Sequence, residues 1–284
     1  MSIATEKQGS VAALQAFASQ IHPVFMLPPV AASLFGGLFA SGFSLRLAAV
    51  HAIAVFCALY TAHVKDGYVD FYVRSEDDTH PLTARGCRVA LALSTVCFFA
   101  ATVALGFLVN PTAALLTLPG WLIGYHHAPQ LDTNPVTATA GYPAGIAIAL
   151  LGGYYVQSTA FGSTILALAG VFLVILSGIK VIDDATDYDY DRSIQKRTVA
   201  VVLGPTRARR VAYGLMATGM AGVTVAAVGL PGVPPSAVLA AVAFAIVAAI
   251  ARSAEPELAT KLLIRGSYVF LAVLTAATWL RPLA

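Results

Sequence analysis

Asp183-Asp184-Ala185-Thr186-Asp187-Tyr188-Asp189-Tyr190-Asp191 follows without a break on an apolar run over 161–182. Five acids within nine residues repel one another, and such crowding usually means that cations are shared among the carboxylates. The run before them is long enough for a helix to cross a bilayer core, which takes about 20 residues. The same arrangement occurs earlier in the chain. An apolar run over 44–64 leads into Asp66-Gly67-Tyr68-Val69-Asp70, followed by Glu76-Asp77-Asp78. Two acid clusters, each at the end of a membrane-length segment, suggest a Mg²⁺ site for a diphosphate carried on a lipid.

Composition agrees with a membrane protein. Of 284 residues, 58% are apolar and 11% charged, whereas a soluble domain carries roughly 25% charged residues. Nine stretches reach spanning length: 21–42, 44–64, 86–109, 111–127, 137–157, 161–182, 207–230, 234–251 and 262–282. The expected fold is therefore an all-α integral membrane protein, a bundle of nine transmembrane helices in two pseudo-repeated halves around a central cavity. Residues 1–284 form one domain. The first twenty residues are too polar for a cleavable signal peptide, so the run from Ile21 reads as a retained span. Cys57, Cys87 and Cys97 have no ligand-like spacing and read as small core residues.

Charge placement orients the chain. With the N-terminus in the cytoplasm, 15 of the 17 Lys and Arg residues fall on the inner side, and only Arg46 and Arg281 fall outside. Inner loops favour Lys and Arg in this way. The N-terminus and the acidic loops are then cytoplasmic and the C-terminus external, in the cell membrane. All fourteen acids lie on the cytoplasmic side and none in mid-span, which argues against an ion relay through the membrane centre. Asp66 and Asp183 each close a span and stand 117 residues apart. That is the basis for expecting two halves facing a shared cavity.

Spacing supplies the chemistry. Asp66 and Asp70, Asp183 and Asp187, and Asp187 and Asp191 are four apart. On a helix such pairs share a face, about 5–6 Å apart at Cβ. Asp66, Asp70, Asp183, Asp187 and Asp191 are the candidate metal ligands, and Asp66, Asp70, Asp187 and Asp191 the candidate catalytic acids. Lys65, Arg74, Lys180, Lys196 and Arg197 stand close by to hold diphosphate oxygens. Loss of diphosphate leaves an allylic cation, which requires a dry pocket with apolar and aromatic walls. Tyr68, Tyr125 and Tyr154 are the candidate pocket residues, with Phe71, Tyr72 and Tyr142 near the same ends. Isolated Asp pairs usually cap helices as solvated loop charges, but two clusters at matched spacing on one side reduce the force of that reading. Arg207, Arg209 and Arg210 read as interface anchors. His22, Pro23, Pro28 and Pro29 read as shaping the start of the first span.

These motifs resemble those of the UbiA superfamily of intramembrane prenyltransferases. Asp66-x-x-x-Asp70 is similar to its first acidic motif, and Asp183-x-x-x-Asp187-x-x-x-Asp191 with Lys196-Arg197-Thr198 and Leu203-Gly204 to its second. Tyr125-His-His-Ala-Pro129 and Gly152-Gly153-Tyr154-Tyr155-Val156-Gln157 are similar to its middle segment. The resemblance implies nine spans, a cavity opening sideways to lipid, and a prenyl diphosphate bound with Mg²⁺. It implies Mg²⁺-dependent transfer of an isoprenyl group to an aromatic or lipid acceptor in the membrane, with no nucleic-acid partner.

Several positions depart from the pattern. Asp66 stands where Asn is usual, Arg74 where a third acid is expected, and Gln195 where glycine is usual. Glu76, Asp77 or Asp78 is left to replace the third acid. The missing base after Tyr125 and the absence of arginine in the first span weigh against a p-hydroxybenzoate acceptor. A terpene cyclase, quenching the same cation without an acceptor, is the alternative. A transporter would need polar groups at mid-depth, of which these spans carry few.

Overall fold

The computed structural model describes residues 2–5 and 8–280. Glu6, Lys7 and Arg281, which enter the charge sorting, lie outside the described residues. Twelve α-helices follow in order among those described: α1 Ser10–Ala18, α2 Pro23–Leu38, α3 Leu45–Val69, α4 Ala84–Leu108, α5 Pro111–His126, α6 Pro135–Ser158, α7 Ser163–Thr186, α8 Tyr188–Ser193, α9 Val199–Leu203, α10 Pro205–Gly229, α11 Val238–Arg252 and α12 Pro256–Leu280. Strand pairing is limited to one isolated antiparallel bridge, Ala4 with Leu82, among the described residues.

Each of the nine apolar runs coincides with a helix, but seven helical segments are long and apolar enough to cross a membrane. The other two, α2 and α5, have 16 residues each, about 24 Å at 1.5 Å per residue. Helix α1 and α2 together reach spanning length across a bend of 67°. By length and composition seven helices can cross a membrane, or eight if α1 and α2 form one bent span, so the expected count of nine is not confirmed. Sequence hydropathy runs through the turn at Ile21–His22 and on to Gly42, whereas α2 spans only Pro23–Leu38; the run over 111–127 is itself short.

Local signals set the helix starts. The side chains of Ser44, Thr83, Asn110 and Asn134 accept backbone N–H groups at the first turns of α3, α4, α5 and α6. These bonds satisfy donors that a helix N-terminus otherwise leaves free. Proline occupies the first helical position of α2, α5, α6 and α10, where its missing N–H costs nothing.

Helix α7 packs along α10 and α6, α2 along α6, α3 along α4, and α11 along α12. Glycine permits the closest of these approaches. A Cβ on Gly153 would meet the Ser33 carbonyl carbon at 2.7 Å and Cα at 2.9 Å, and one on Gly36 would meet the Leu150 carbonyl carbon at 3.0 Å. The two helices therefore cross backbone to backbone, the usual basis of tight packing in lipid. Gln157 closes the end of this pair: its amide accepts from Ser44 N–H at 2.8 Å and donates to the Ser44 carbonyl at 3.0 Å.

Pro28 and Pro29 lie inside α2. Lacking N–H groups, they leave the carbonyls of Val24 and Phe25 without helical donors. The Tyr142 hydroxyl from α6 donates to Phe25 at 2.7 Å, and the Tyr268 hydroxyl from α12 donates to Val24. The prolines thus shape the start of α2, as expected, and also tie it to two other helices. Cys57 and Cys87 are buried as expected of core residues, but Cys97 lies on the exterior.

Candidate functional site

A cavity of about 260 Å³ lies between α2, α3, α5, α6, α7 and α12. Its walls are mainly apolar, with Val55, Leu59, Ile123, Ile146 and Leu176 among them. Asp66, Lys180 and Asp183 also line it. Residues 117 positions apart in the chain thus meet on one chamber, as two facing acid clusters require.

The first cluster is shaped by the end of α3. The helix continues as a π-helical turn over Asp70–Arg74, then reverses at Ser75, whose φ is 54°. Such wider turns insert an extra residue and often occur at functional sites. Arg74 lies 3.2 Å from Asp70 and 2.8 Å from Asp132, a loop acid between α5 and α6. Glu76 returns its N–H to the Asp70 carbonyl at 2.8 Å. Of the three acids considered as a replacement for the missing one, Glu76 acts electrostatically on both Asp70 and Tyr190.

The second cluster departs from one continuous helix. Helix α7 ends at Thr186, Asp187 has φ −100° and ψ 17°, and α8 begins at Tyr188. Repeated negative charge at a helix C-terminus opposes the helix dipole, which favours the break. Asp187 is exposed, whereas Asp191, on α8, is buried. Lys180 bridges Asp183 at 3.1 Å and Asp184 at 2.5 Å, and Lys196 lies 3.6 Å from Asp191. Lys196 also reaches Asp70 electrostatically, so the two clusters are neighbours. Gln195, where glycine was expected, has φ 61°. That region favours glycine, which explains the usual residue there.

The remaining expected residues are distributed differently. Lys65 places its ammonium 4.6 Å from the centre of the Tyr125 ring, which stacks on Trp121. Arg197 is exposed, and its backbone N–H donates to the Asp132 carbonyl at 2.9 Å. Tyr68 packs with the N-terminal segment and Tyr72, and Tyr154 against the core around α7. Neither Tyr68, Tyr125 nor Tyr154 belongs to the cavity wall; Tyr142 and Tyr268 do.

Asp132 and Asp184 were missed as site residues. Asp184 carried a signal, since Lys180 precedes it by four residues. Asp132 carried none beyond its place in an inner loop. The oxygen-only donors suit Mg²⁺, which takes one or two carboxylates and completes its shell with water and phosphate. Among the described residues no three acids, histidines or cysteines converge as a closed metal cage. Asp184 Oδ2 is buried without a hydrogen-bond partner among the described residues, an oxygen that a nearby cation would satisfy.

A profile of the UbiA prenyltransferase family matches residues 26–274. The chain belongs to the UbiA prenyltransferase family. Among solved structures, a UbiA homologue from Aeropyrum pernix is 18% identical with a TM-score of 0.74, covering 89% of this chain and 98% of that one. A UbiA homologue from Archaeoglobus fulgidus, solved with GPP and Mg²⁺, is 16% identical with a TM-score of 0.71, covering 94% and 99%. A structure of digeranylgeranylglyceryl phosphate synthase gives 13% identity and a TM-score of 0.73, covering 94% and 98%. At these identities the likeness establishes the fold. No curated protein sequence matches the chain.

In this UbiA chain Asp191 titrates unusually. Burial pushes its carboxyl up to about 6, against the opposing effect of Lys196. The folded state therefore holds the proton more tightly than the unfolded chain, whose Asp titrates near 3.8. Stability from this group is full below that value and is lost as pH rises through the folded one. Without divalent cations, Asp191→Asn is expected to melt above wild type at pH 8, with the difference vanishing near pH 4. Thermal unfolding in detergent across that range checks it; an equal gain at both ends contradicts the assignment.

Proposed function

We propose that this chain uses Mg²⁺ to transfer an isoprenyl group from a prenyl diphosphate to an aromatic or lipid acceptor in the membrane. The observation that carries the reading is that Asp66 and Asp183 line one apolar cavity. Support for the donor comes from the Archaeoglobus fulgidus homologue solved with GPP and Mg²⁺.

In this reading Asp66, Asp70, Asp183, Asp187 and Asp191 hold the metal, with Asp184 beside them. Bound Mg²⁺ would neutralise the charge that develops on the departing diphosphate. Lys65, Arg74, Lys180, Lys196 and Arg197 supply donors for the diphosphate oxygens. Arg74 and Lys180 already pair with the acids, so the free site keeps its charges balanced. The prenyl chain lies along the apolar wall. That wall excludes water from the allylic cation until the acceptor attacks. The acids and the cavity mouth face the cytoplasm, with the N-terminus cytoplasmic and the C-terminus external, as the sorting of Lys and Arg indicates.

The cyclase reading shares every step up to ionisation. It is favoured by a wall that, among the described residues, carries no Lys or Arg apart from Lys180 beside the acids to hold an acceptor's carboxylate. Purified protein with geranyl diphosphate (GPP) and Mg²⁺ should release diphosphate, and chelation of Mg²⁺ should abolish release. Mass spectrometry of the organic product separates the readings: a prenylated acceptor supports transfer, and a cyclic hydrocarbon formed without acceptor supports cyclisation. No release from any prenyl diphosphate refutes both.

A further inference from the structure

We infer that His63 accepts the proton released when the prenyl cation is captured, and that His22 passes it to solvent. The inference rests on the proposed ionisation of a prenyl diphosphate, but on neither acceptor class. Whether carbon, oxygen or an alkene attacks the cation, the product becomes neutral only by losing one proton.

His63 lines the cavity on α3, one helical turn deeper than Asp66. It therefore stands between the acid cluster and the deeper apolar part of the chamber. Its Nδ1 is 3.4 Å from Nδ1 of His22, with the rings edge to face at 4.9 Å between centres. His22 opens α2 and is exposed. A wall residue inside the cavity is thus hydrogen-bonded to a surface residue of the same chemistry. In such a pair one Nδ1 carries hydrogen and the other accepts it.

Of the other candidate bases on the wall, Asp66 holds metal in the proposed reading and the rest, except His127, are already engaged. Asp183 pairs with Lys180. The Tyr142 and Tyr268 hydroxyls donate to Phe25 and Val24. His51 lies deep, with Nδ1 bonded to Ser33 at 2.7 Å. His127 also lines the wall, but has no hydrogen-bonded side chain among the described residues to carry a proton away.

The step balances. The C–O bond to diphosphate breaks with its electron pair on oxygen, and a new bond forms to the prenyl carbon. The acceptor then loses hydrogen as a proton to His63 Nε2, keeping the bonding pair. His63 passes its Nδ1 proton to His22 Nδ1, and His22 releases its Nε2 proton to water. Histidine suits both transfers because one ring nitrogen can accept a proton while the other donates one.

The test uses full-length protein with GPP and Mg²⁺, with and without a simple phenol, collecting all organic products by extraction. His63→Gln should lower product formation by about a hundredfold, with GPP affinity within threefold of wild type. His22→Gln should lower it on the order of tenfold, and added imidazole, a diffusible proton carrier, should restore His22→Gln without raising wild type. Product formation by His63→Gln within twofold of wild type overturns the inference, as does a loss confined to His127→Gln or failure of imidazole to restore His22→Gln. Binding of GPP lost in His63→Gln assigns the residue to substrate holding and also overturns it. A wild type that makes no organic product from any prenyl diphosphate refutes instead the reading of function beneath it.

Discussion

Replacing Asp66 or Asp183 by alanine is expected to lower diphosphate release by about a thousandfold, because each removes preorganised charge from the point where a diphosphate departs. The two residues lie on different helices yet border the same chamber. Loss of either therefore halves a facing arrangement that the other cannot complete. The fold should tolerate both changes. Lys180 keeps Asp184 when Asp183 is removed, and Asp66 stands near the C-terminal end of α3 and is only partly buried. Asp70→Ala and Asp187→Ala should behave alike. The measurement is diphosphate release from GPP beside thermal unfolding; full activity at unchanged stability in any of the four refutes that residue's assignment to metal.

Gly153→Leu is expected to destabilise the protein by about 3 kcal/mol, the upper part of the range for overpacking. The obstacle is main chain: the new Cβ would press on the Ser33 carbonyl and Cα. Backbone cannot move aside by changing rotamer, so α2 and α6 must separate. Gly36 lies on the other side of the same crossing, against Leu150, and its contact is lost with the first. Both helices wall the cavity through Pro28, Pro29, Ile146 and Ala149, so activity should fall with stability. Thermal unfolding in detergent, with Gly170→Leu as a control where a Cβ meets no atom within 4 Å, checks the claim. Equal melting of both variants contradicts it.

Much of this was legible in the sequence because hydropathy and charge are one-dimensional signals. Every apolar run became a helix, and Asp66 and Asp183 reached one cavity. Span length was less legible, since apolar character runs past both ends of α2. The aromatic residues were least legible. Tyr68 and Tyr142 look equivalent beside a span, yet one packs on the N-terminal segment and the other on the chamber. The direction of a ring depends on which helices meet around it, and local spacing does not encode that. His63 was passed over for a related reason: a single imidazole in an apolar run gains meaning only when His22 is seen against it.

The paired prolines of α2 have a consequence for the chamber wall. Where an ordinary helix binds its first turns by its own ladder, this one relies on two phenols from separate helices. Each such bond contributes only about 1 kcal/mol, far less than unwinding several turns would cost. The segment around Val24 and Phe25 is thus held to the bundle by Tyr142 and Tyr268, while main-chain packing at Gly36 and Gly153 holds the rest of α2 on α6. One edge of the chamber wall therefore hangs on two side-chain bonds and the remainder on backbone contact.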